Sequence, residues 1–224
     1  MVLKVNNLTF DKDSSYDLRI KSLKVKDKQI VSVICEDNFY KKTLFDILSE
    51  KEKKYDGEIF FDNINLSKYE KKYKNIIFVD NVSGIFNSLT VLENLNIVAQ
   101  KLERYIKQKR LKLVKELMPE LFKNKHIYGY KLDVTEKILI NLSRIILVNP
   151  KISIIKDPTS GFYPLLADRI LEIIKYINKL DISFLILTKK IDSALKISDW
   201  LYILEDGKIV SQGDKDAFIK FGYK

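Results

Sequence analysis

The sequence predicts an α/β domain built on a mainly parallel β-sheet, and three observations carry this prediction. Short, almost continuous apolar runs such as residues 30–35 are typical of strands covered on both faces of a parallel sheet. These runs alternate with segments whose apolar residues recur at helical spacing. Turn signals such as Asp56-Gly57 and Asp206-Gly207 punctuate the alternation. Such an order of elements indicates an α/β fold.

The first part of the chain is predicted to alternate strands with loops and one helix. Two β-rich stretches open the chain, and alternating apolar positions in the second are typical of a half-buried antiparallel strand. We therefore expect an antiparallel β subdomain at one sheet edge. The predicted strands are residues 3–10, 18–25, 30–35, 58–62 and 75–80, and the predicted helix is 41–49.

A helical insertion is predicted next, because residues 89–148 carry helical spacing that is interrupted only near 123–131. Strands then resume. The predicted elements are strands 152–155 and 184–188, a helix over 164–178, a further short helix, and a hairpin over 201–210. We expect one domain, 1–224, made of a β-rich core (1–88), a helical subdomain (89–148) and a continuation of the core (149–224).

The composition limits the classes of function. Forty Lys and Arg against 30 Asp and Glu give a net charge of +10, which favours acidic partners. The lysines are scattered and mostly alternate with acids, so we expect a solvated basic surface and regard nucleic acid as an unlikely partner. No apolar run approaches the roughly 20 residues needed to span a bilayer, and we expect a cytoplasmic protein.

Cysteine and histidine are too few for several kinds of chemistry. Cys35 is the single cysteine, so neither an internal disulfide nor a cysteine-based zinc cluster is expected. We interpret it as a small core residue at a strand end. His126 is the only histidine and lies in a lysine-rich loop, so histidine-dependent catalysis is not expected.

A series of short segments gives the sequence a specific resemblance. In order along the chain they are VNNLTF, IVSVI, KTLFDILS, DGEIFFDNINL, FNSLTVLENL, LVNPKISIIKDPTSGFYP and YILEDGKIVSQG. Over essentially its whole length the chain resembles the ATP-binding cassette (ABC) family of transporter ATPases. The resemblance implies the P-loop NTPase-like fold of ABC ATPases, with a mainly parallel core sheet, an antiparallel β edge and a helical insertion.

The phosphate loop of the family is altered in this chain. A Walker A loop, G-x-x-x-x-G-K-[S/T], surrounds phosphate with backbone amides, and its lysine and hydroxyl reach the terminal phosphates and magnesium. Lys41 keeps the lysine position. Cys35 and Tyr40 fill the glycine positions, Lys42 fills the hydroxyl position, and Thr43 follows one place late.

These replacements are expected to reshape the loop. Tyr40 would be strained wherever the family backbone needs positive φ. Glu36 and Asp37 place negative charge beside the phosphates that the loop should attract. Lys41 is therefore either a phosphate ligand or a charged residue near a helix start.

The Walker B strand is altered as well. The resemblance places Lys156 at the magnesium-ordering aspartate and Asp157 at the general-base glutamate. An ammonium cannot be a magnesium ligand. Like charges ~4 Å apart cost roughly 4 kcal/mol at an effective dielectric near 20, so Lys42 and Lys156 would oppose a divalent cation. We expect no metal site.

The other sequence motifs of the family also lack the residues that bind or hydrolyse nucleotide. Asp133 and Thr135 lie in the segment that stands where the family has L-S-G-G-Q. Lys189 stands at the switch histidine and Tyr163 at the D-loop aspartate, while Asn81 replaces the Q-loop glutamine with a shorter amide. The candidate nucleotide ligands are thus Lys41, Thr43 and Asn81, with Asp157 as the one catalytic candidate.

Two interpretations of the extra lysines remain open from the sequence. Lys42 and Lys156 either pair with carboxylates at Glu36, Asp37 or Asp157 and fill the former nucleotide site, or they point into solvent.

The resemblance implies partners. Family members dimerise and dock on an integral-membrane permease, so we expect a homodimer or heterodimer with another ABC ATPase subunit at the inner face of the membrane. The segment FNSLTVLENL leads to the helical insertion, where family members dock on their permease.

Three hypotheses of function follow. The first is a pseudo-ATPase subunit of an ABC export or resistance complex, with a structural or regulatory role and no cofactor. The second is an ATP-hydrolysing subunit that energises export through an atypical site with ATP and magnesium. The third is a basic nucleic-acid-binding protein.

Overall fold

The computed structural model describes residues 1–11, 17–66, 75–80 and 84–220. Its strands are β1 (Leu3–Asp11), β2 (Asp17–Val25), β3 (Ile30–Ile34), β4 (Asp56–Phe61), β5 (Ile64–Asn65), β6 (Ile76–Asp80), β7 (Ile152–Lys156), β8 (Ser183–Thr188), β9 (Trp200–Glu205) and β10 (Lys208–Gly213). Its helices are α1 (Asn38–Leu48), α2 (Val91–Val98), α3 (Arg104–Leu117), α4 (Pro119–Lys123), α5 (Val134–Val148), α6 (Pro164–Asn178), α7 (Ile191–Ile197) and α8 (Lys215–Lys220).

The strands form one mixed sheet in the order β5-β4-β1-β2-β10-β9-β3-β8-β7-β6. Neighbouring strands from β9 to β6 all pair in parallel. The other half is mainly antiparallel and includes the β1–β2, β1–β4 and β9–β10 pairs. This arrangement confirms the predicted α/β class, with its parallel core and antiparallel β edge.

Helices cover both faces of the parallel half. Alternate residues of β8 point to opposite faces: Leu185 and Leu187 join one buried apolar cluster, and Phe184 and Ile186 join the other. Helix α1 packs on the first face, and α5 and α6 pack on the second. This two-sided cover explains why β8 is buried at every position and reads as a continuous apolar run.

Helices α2 to α5 follow one another between β6 and β7. Asp133 begins α5 with a reciprocal capping box, in which its carboxylate accepts from the Glu136 amide and the Glu136 carboxylate accepts from the Asp133 amide. The last helix of this group thereby starts at a fixed residue. None of the described helices is long and apolar enough to cross a membrane.

The start of α1 differs from the sequence prediction. The helix was expected to begin at Lys41, but it begins at Asn38. Asp37 is its N-cap, and the Asp37 carboxylate accepts a hydrogen bond of 2.6 Å from the Phe39 amide. An aspartate at the N-cap satisfies amides that would otherwise lack a partner, so the helix extends three residues further back.

Candidate functional site

The candidate site lies at the carboxyl edge of the parallel strands. Strand β3 leads through Cys35 into α1, while β6 and β7 end at Asp80 and Lys156. Ligand sites of open α/β sheets lie at this edge. The topology therefore brings together the residues predicted from the Walker A and Walker B positions.

The connection between β3 and α1 is short. Only residues 35–37 separate the strand from the helix, and neither Cys35 nor Tyr40 has a positive φ. Tyr40 lies in the first turn of α1 and is buried, so the condition for backbone strain at this residue, a positive φ, is not met. A regular helical turn takes the place of the last part of the expected loop.

Lys41 forms the central contact of the site. Its side chain is 2% exposed, and its ammonium lies 2.7 Å from Oδ2 of Asp157. The contact is an ion pair and not an aligned hydrogen bond, because Lys41 Nζ has no hydrogen-bond partner of suitable geometry among the described residues. Asp157 holds a left-handed backbone conformation, with φ of 49°, and its amide donates to the carbonyl of Leu187.

Lys156 points to the neighbouring strand. Its ammonium lies 2.9 Å from Oδ1 of Asp80, the residue directly across from it in the β6–β7 register. The same ammonium lies 5.3 Å from the ring centroid of Phe45. Of the two interpretations left open from the sequence, an ion pair is the one found, but its partner is Asp80 and not Glu36, Asp37 or Asp157, because the parallel register sets Asp80 beside Lys156.

Lys42 has a local partner. Its ammonium lies 2.5 Å from Oδ2 of Asp46, one turn along α1, and this contact raises the pKa of Lys42. The Lys42 side chain is 69% exposed, which agrees with the interpretation that it lies at the surface, and its ion-pair partner Asp46 is none of the carboxylates named from the sequence. Spacing of i to i+4 makes Asp46 a partner that could have been read from the sequence.

The other predicted positions have diverse surroundings. Thr43 is buried within α1, and Tyr163 is an exposed residue at the start of α6. Lys189 is exposed after β8, whereas the neighbouring Lys190 donates 2.7 Å to the carbonyl of Thr159. Asn81 lies outside the described residues.

The signature positions lie at the start of α5. The carboxylate of Asp133 is engaged as the N-cap, and Thr135 lies in the first turn of the helix. Asp133 therefore has a structural contact that the resemblance did not indicate.

Cys35 is buried at the end of β3, as expected. Its amide donates to the carbonyl of Thr188, and its thiol donates 3.2 Å to the carbonyl of Asp37. Burial raises the pKa of the Cys35 thiol to about 11. The thiol is therefore protonated at neutral pH, which is the state of an unreactive core cysteine.

Comparison with known proteins identifies the family. The ABC transporter family matches residues 18–160, which is more than half of the chain. The chain belongs to the ABC transporter family. Members of this family act with membrane permeases and dimerise.

Individual relatives and structures agree with this assignment. The high-affinity branched-chain amino acid transport ATP-binding protein BraG of Pseudomonas aeruginosa is 27% identical over 211 residues, covering 91% of each chain. The phosphonates import ATP-binding protein PhnC of Mesoplasma florum is 30% identical over 215 residues, covering 86% of each. A solved ATP-binding subunit of an ABC transporter superposes with a TM-score of 0.85 at 19% identity, covering 99% of this chain and 94% of that one.

One polar cluster of this ABC protein, formed by Asn94 and Arg144, was not predicted from the sequence. The side chain of Asn94 is completely buried, and its amide nitrogen shares two hydrogens among the carbonyls of Phe86, Leu89 and Thr90 at 3.0–3.1 Å. Its own oxygen accepts from the Phe86 amide at 2.9 Å and from Arg144 at 3.0 Å. Together these bonds hold the segment 84–90, which overlaps the start of FNSLTVLENL (86–95), against α2 and α5.

Arg144 completes the cluster. Its guanidinium donates to the carbonyl of Gly84 and lies 5.4 Å from the ring centroid of Phe86. Burial lowers the pKa of Arg144. Phe86 stays 46% exposed. Its aromatic side chain is therefore accessible, while the backbone around it is held by hydrogen bonds to Asn94 and Arg144.

Proposed function

We propose that this ABC protein is a pseudo-ATPase subunit, which assembles with a membrane permease without binding or hydrolysing ATP. The observation that carries the proposal is the buried ion pair between Lys41 and Asp157. Lys41 is the residue that a phosphate loop uses to reach the terminal phosphates. In this chain its buried ammonium already has a counter-charge, the partly exposed carboxylate of Asp157.

The start of α1 supports the proposal. A helix N-terminus binds phosphate through free backbone amides and a positive dipole end. Here the Asp37 carboxylate accepts from the Phe39 amide and places a negative charge at that end. A phosphate group would have to displace this carboxylate and approach it closely.

The surroundings do not fit magnesium. Magnesium needs oxygen ligands, and the two positions that supply them in the family hold Lys42 and Lys156. Asp80, which could have offered a carboxylate, is paired with Lys156. Within residues 1–11, 17–66, 75–80 and 84–220, no group of three or more acidic, histidine or cysteine side chains could hold a metal ion. The family's ATP and magnesium thus have poor ligands here.

Docking on a permease is supported by a different part of the chain. The segment 84–90 presents the exposed ring of Phe86, and its backbone is fixed by Asn94 and Arg144. Exposed aromatic side chains on a rigid backbone are effective anchors in protein interfaces. This surface does not depend on the altered phosphate loop, so docking can persist without nucleotide.

The permease partner determines where the protein lies in the cell, and the relatives indicate the direction of transport. A subunit held by a permease lies peripherally at the inner face of the membrane. The names of relatives favour import over the export expected from the sequence, as the phosphonates import protein illustrates.

An ATP-hydrolysing subunit is the second candidate. It is favoured by membership of the family, whose members normally bind ATP and magnesium. It is also favoured by Lys41 and Asp157 lying together at the carboxyl edge of the sheet. For this function, nucleotide would have to break their ion pair.

Copurification tests the assembly. Tagged protein is recovered from detergent-solubilised membranes of its own host, with EDTA and no nucleotide, and bound membrane proteins are identified. We expect a polytopic permease to copurify with the wild type and with the control Val210→Asp, whose side chain is 55% exposed on β10. We expect the permease not to copurify with Phe86→Asp. Recovery that requires MgATP, or that is unaffected by Phe86→Asp, would contradict the proposal.

A further inference from the structure

A groove runs along helix α3, away from the candidate site. Its volume is about 690 Å³, and it lies between one face of α3 and the carboxyl-terminal ends of α5 and α6 with the residues that follow them. Asn149 and Asp181 line it, and they precede β7 and β8. Since Lys156 and Thr188 end these two strands, the groove lies at the opposite edge of the sheet from the phosphate-loop region.

The least exposed residues of the groove are apolar. Ile106 and Leu113 are half-buried and lie seven residues apart on the same face of α3. Ile146 and Leu180 contribute from the other side. The side chain of Tyr105 is 74% exposed at the start of this face. The groove therefore offers an apolar strip to a ligand.

Positive charge borders this strip. Lys109, Lys112 and Lys179 are exposed lining residues. Within the part of the chain that the structure describes, neither Lys109 nor Lys179 forms an ion pair with a carboxylate.

The acidic lining residues neutralise only part of the border. Asp181 is held at 2.8 Å by Lys28, which lies outside the groove lining. Glu116 lies 3.9 Å from Lys112. Arg110 adds a further cation and is fixed by donating 2.6 Å to the carbonyl of Leu147. The groove consequently combines an apolar strip with uncompensated positive charge.

We propose that this groove binds an acidic amphipathic helix of a partner protein. The lining of α3 extends from Tyr105 to Glu116, about 16 Å at 1.5 Å per residue, which matches three turns of a docked helix. The apolar stripe of such a helix would cover Ile106 and Leu113. Carboxylates flanking that stripe would face Lys109 and Lys179. This is the helix-in-groove mode of recognition.

The shape and chemistry favour a helix over other anionic partners. A flat membrane surface cannot reach the apolar lining of a concave groove. A phosphodiester backbone would engage the lysines but leave the strip of Ile106, Leu113 and Ile146 uncovered. A helix with an apolar stripe and acidic flanks satisfies both features.

Fluorescence anisotropy with designed peptides tests the proposal. The probe is a labelled helix of about 18 residues with leucines at i, i+3, i+4 and i+7 and glutamates on both flanks. One control peptide replaces the glutamates with lysine, and another replaces the leucines with glutamine. We expect saturable binding of the acidic, leucine-bearing peptide alone.

Charge-reversed variants locate the binding. Lys109→Glu/Lys179→Glu should weaken binding about tenfold, and added salt should reduce the effect. The control Lys21→Glu/Lys208→Glu changes net charge equally at exposed residues of β2 and β10, and should leave binding within about twofold. If the groove variant does not fold, Lys109→Gln/Lys179→Gln replaces it with the same expected direction.

Three results would overturn the proposal. Equal weakening by the groove and control variants would show attraction to net charge alone. Equal binding of the glutamine-substituted peptide would show that the apolar strip takes no part. Displacement of the peptide by a single-stranded oligonucleotide of higher affinity would assign the groove to nucleic acid.

Discussion

The ammonium of Lys41 and the carboxylate of Asp157 lie 2.7 Å apart, with the lysine side chain almost completely buried. Lys41 comes from the first turn of α1, and Asp157 directly follows β7. Because these elements are far apart in sequence, the ion pair ties the helix to the central sheet. The same contact engages the residue that the family resemblance places at the phosphate-binding lysine.

Breaking this pair should lower the free energy of unfolding by unequal amounts. Asp157→Asn tolerates the left-handed backbone but leaves a buried ammonium without a counter-charge, so we expect a loss of about 3–5 kcal/mol. Lys41→Met should cost less, because Asp157 retains 16% exposure to water. Urea denaturation of each single variant and of the double variant measures both losses and the coupling between them. Additive losses would show that the two residues do not interact.

The N-cap of α1 gives a second prediction. Asp37→Ala removes the acceptor for the Phe39 amide, so the free energy of unfolding should fall by about 1 kcal/mol. Asp37→Asn keeps an acceptor and should stay within a few tenths of a kcal/mol of wild type. Urea denaturation distinguishes them. Equal loss in both variants would mean that the charge, and not the hydrogen bond, is what stabilises the helix.

Burial of Cys35 predicts a dependence of stability on pH. The folded-state pKa of about 11 lies above the ordinary value of 9.0, so above pH 9 the folded state keeps a proton that the unfolded state loses. The free energy of unfolding should therefore fall as pH rises from 9 to 11, and more so in wild type than in Cys35→Ala. Denaturation of both proteins across this range measures the difference. Parallel pH profiles would contradict it.

The Asn94 cluster predicts local loosening. Asn94→Ala leaves the Phe86 amide without its acceptor, which costs roughly 1–3 kcal/mol unless water enters. The carbonyls of Phe86, Leu89 and Thr90 lose one donor but keep backbone amide donors. We expect faster hydrogen exchange at the Phe86 amide and weaker recovery of the permease. Asn96→Ala on the same helix, at a half-buried residue, is the matched control. If hydrogen exchange at the Phe86 amide is unchanged in Asn94→Ala, Asn94 does not fix the segment 84–90.

The fold was largely predictable because its elements have strong local signals. Strand β8 is a continuous apolar run, and the turn at Asp206-Gly207 joins β9 to β10 as expected. The start of α1 was predicted wrongly because residues 35–40 were expected to form a phosphate loop, although Asp37 is a capping signal for a helix. That signal was present in the sequence, since aspartate is a preferred N-cap.

The contacts of the site were less predictable. The partner of Lys156 depends on the register between β6 and β7, which sets Asp80 beside it and which the sequence does not specify. The pairing of Lys41 with Asp157 depends on where α1 begins. Such contacts follow from packing across distant segments, and residue types alone do not determine them.

Titration calorimetry with ATP, with and without magnesium, tests the central claim most directly. The BraG relative, an ATP-binding protein by name, serves as a positive control under the same conditions. We predict that this protein gives no saturable heat and no thermal shift at millimolar ATP, because Lys41 is paired and Asp37 caps α1. Saturable micromolar binding that magnesium strengthens would contradict the pseudo-ATPase function.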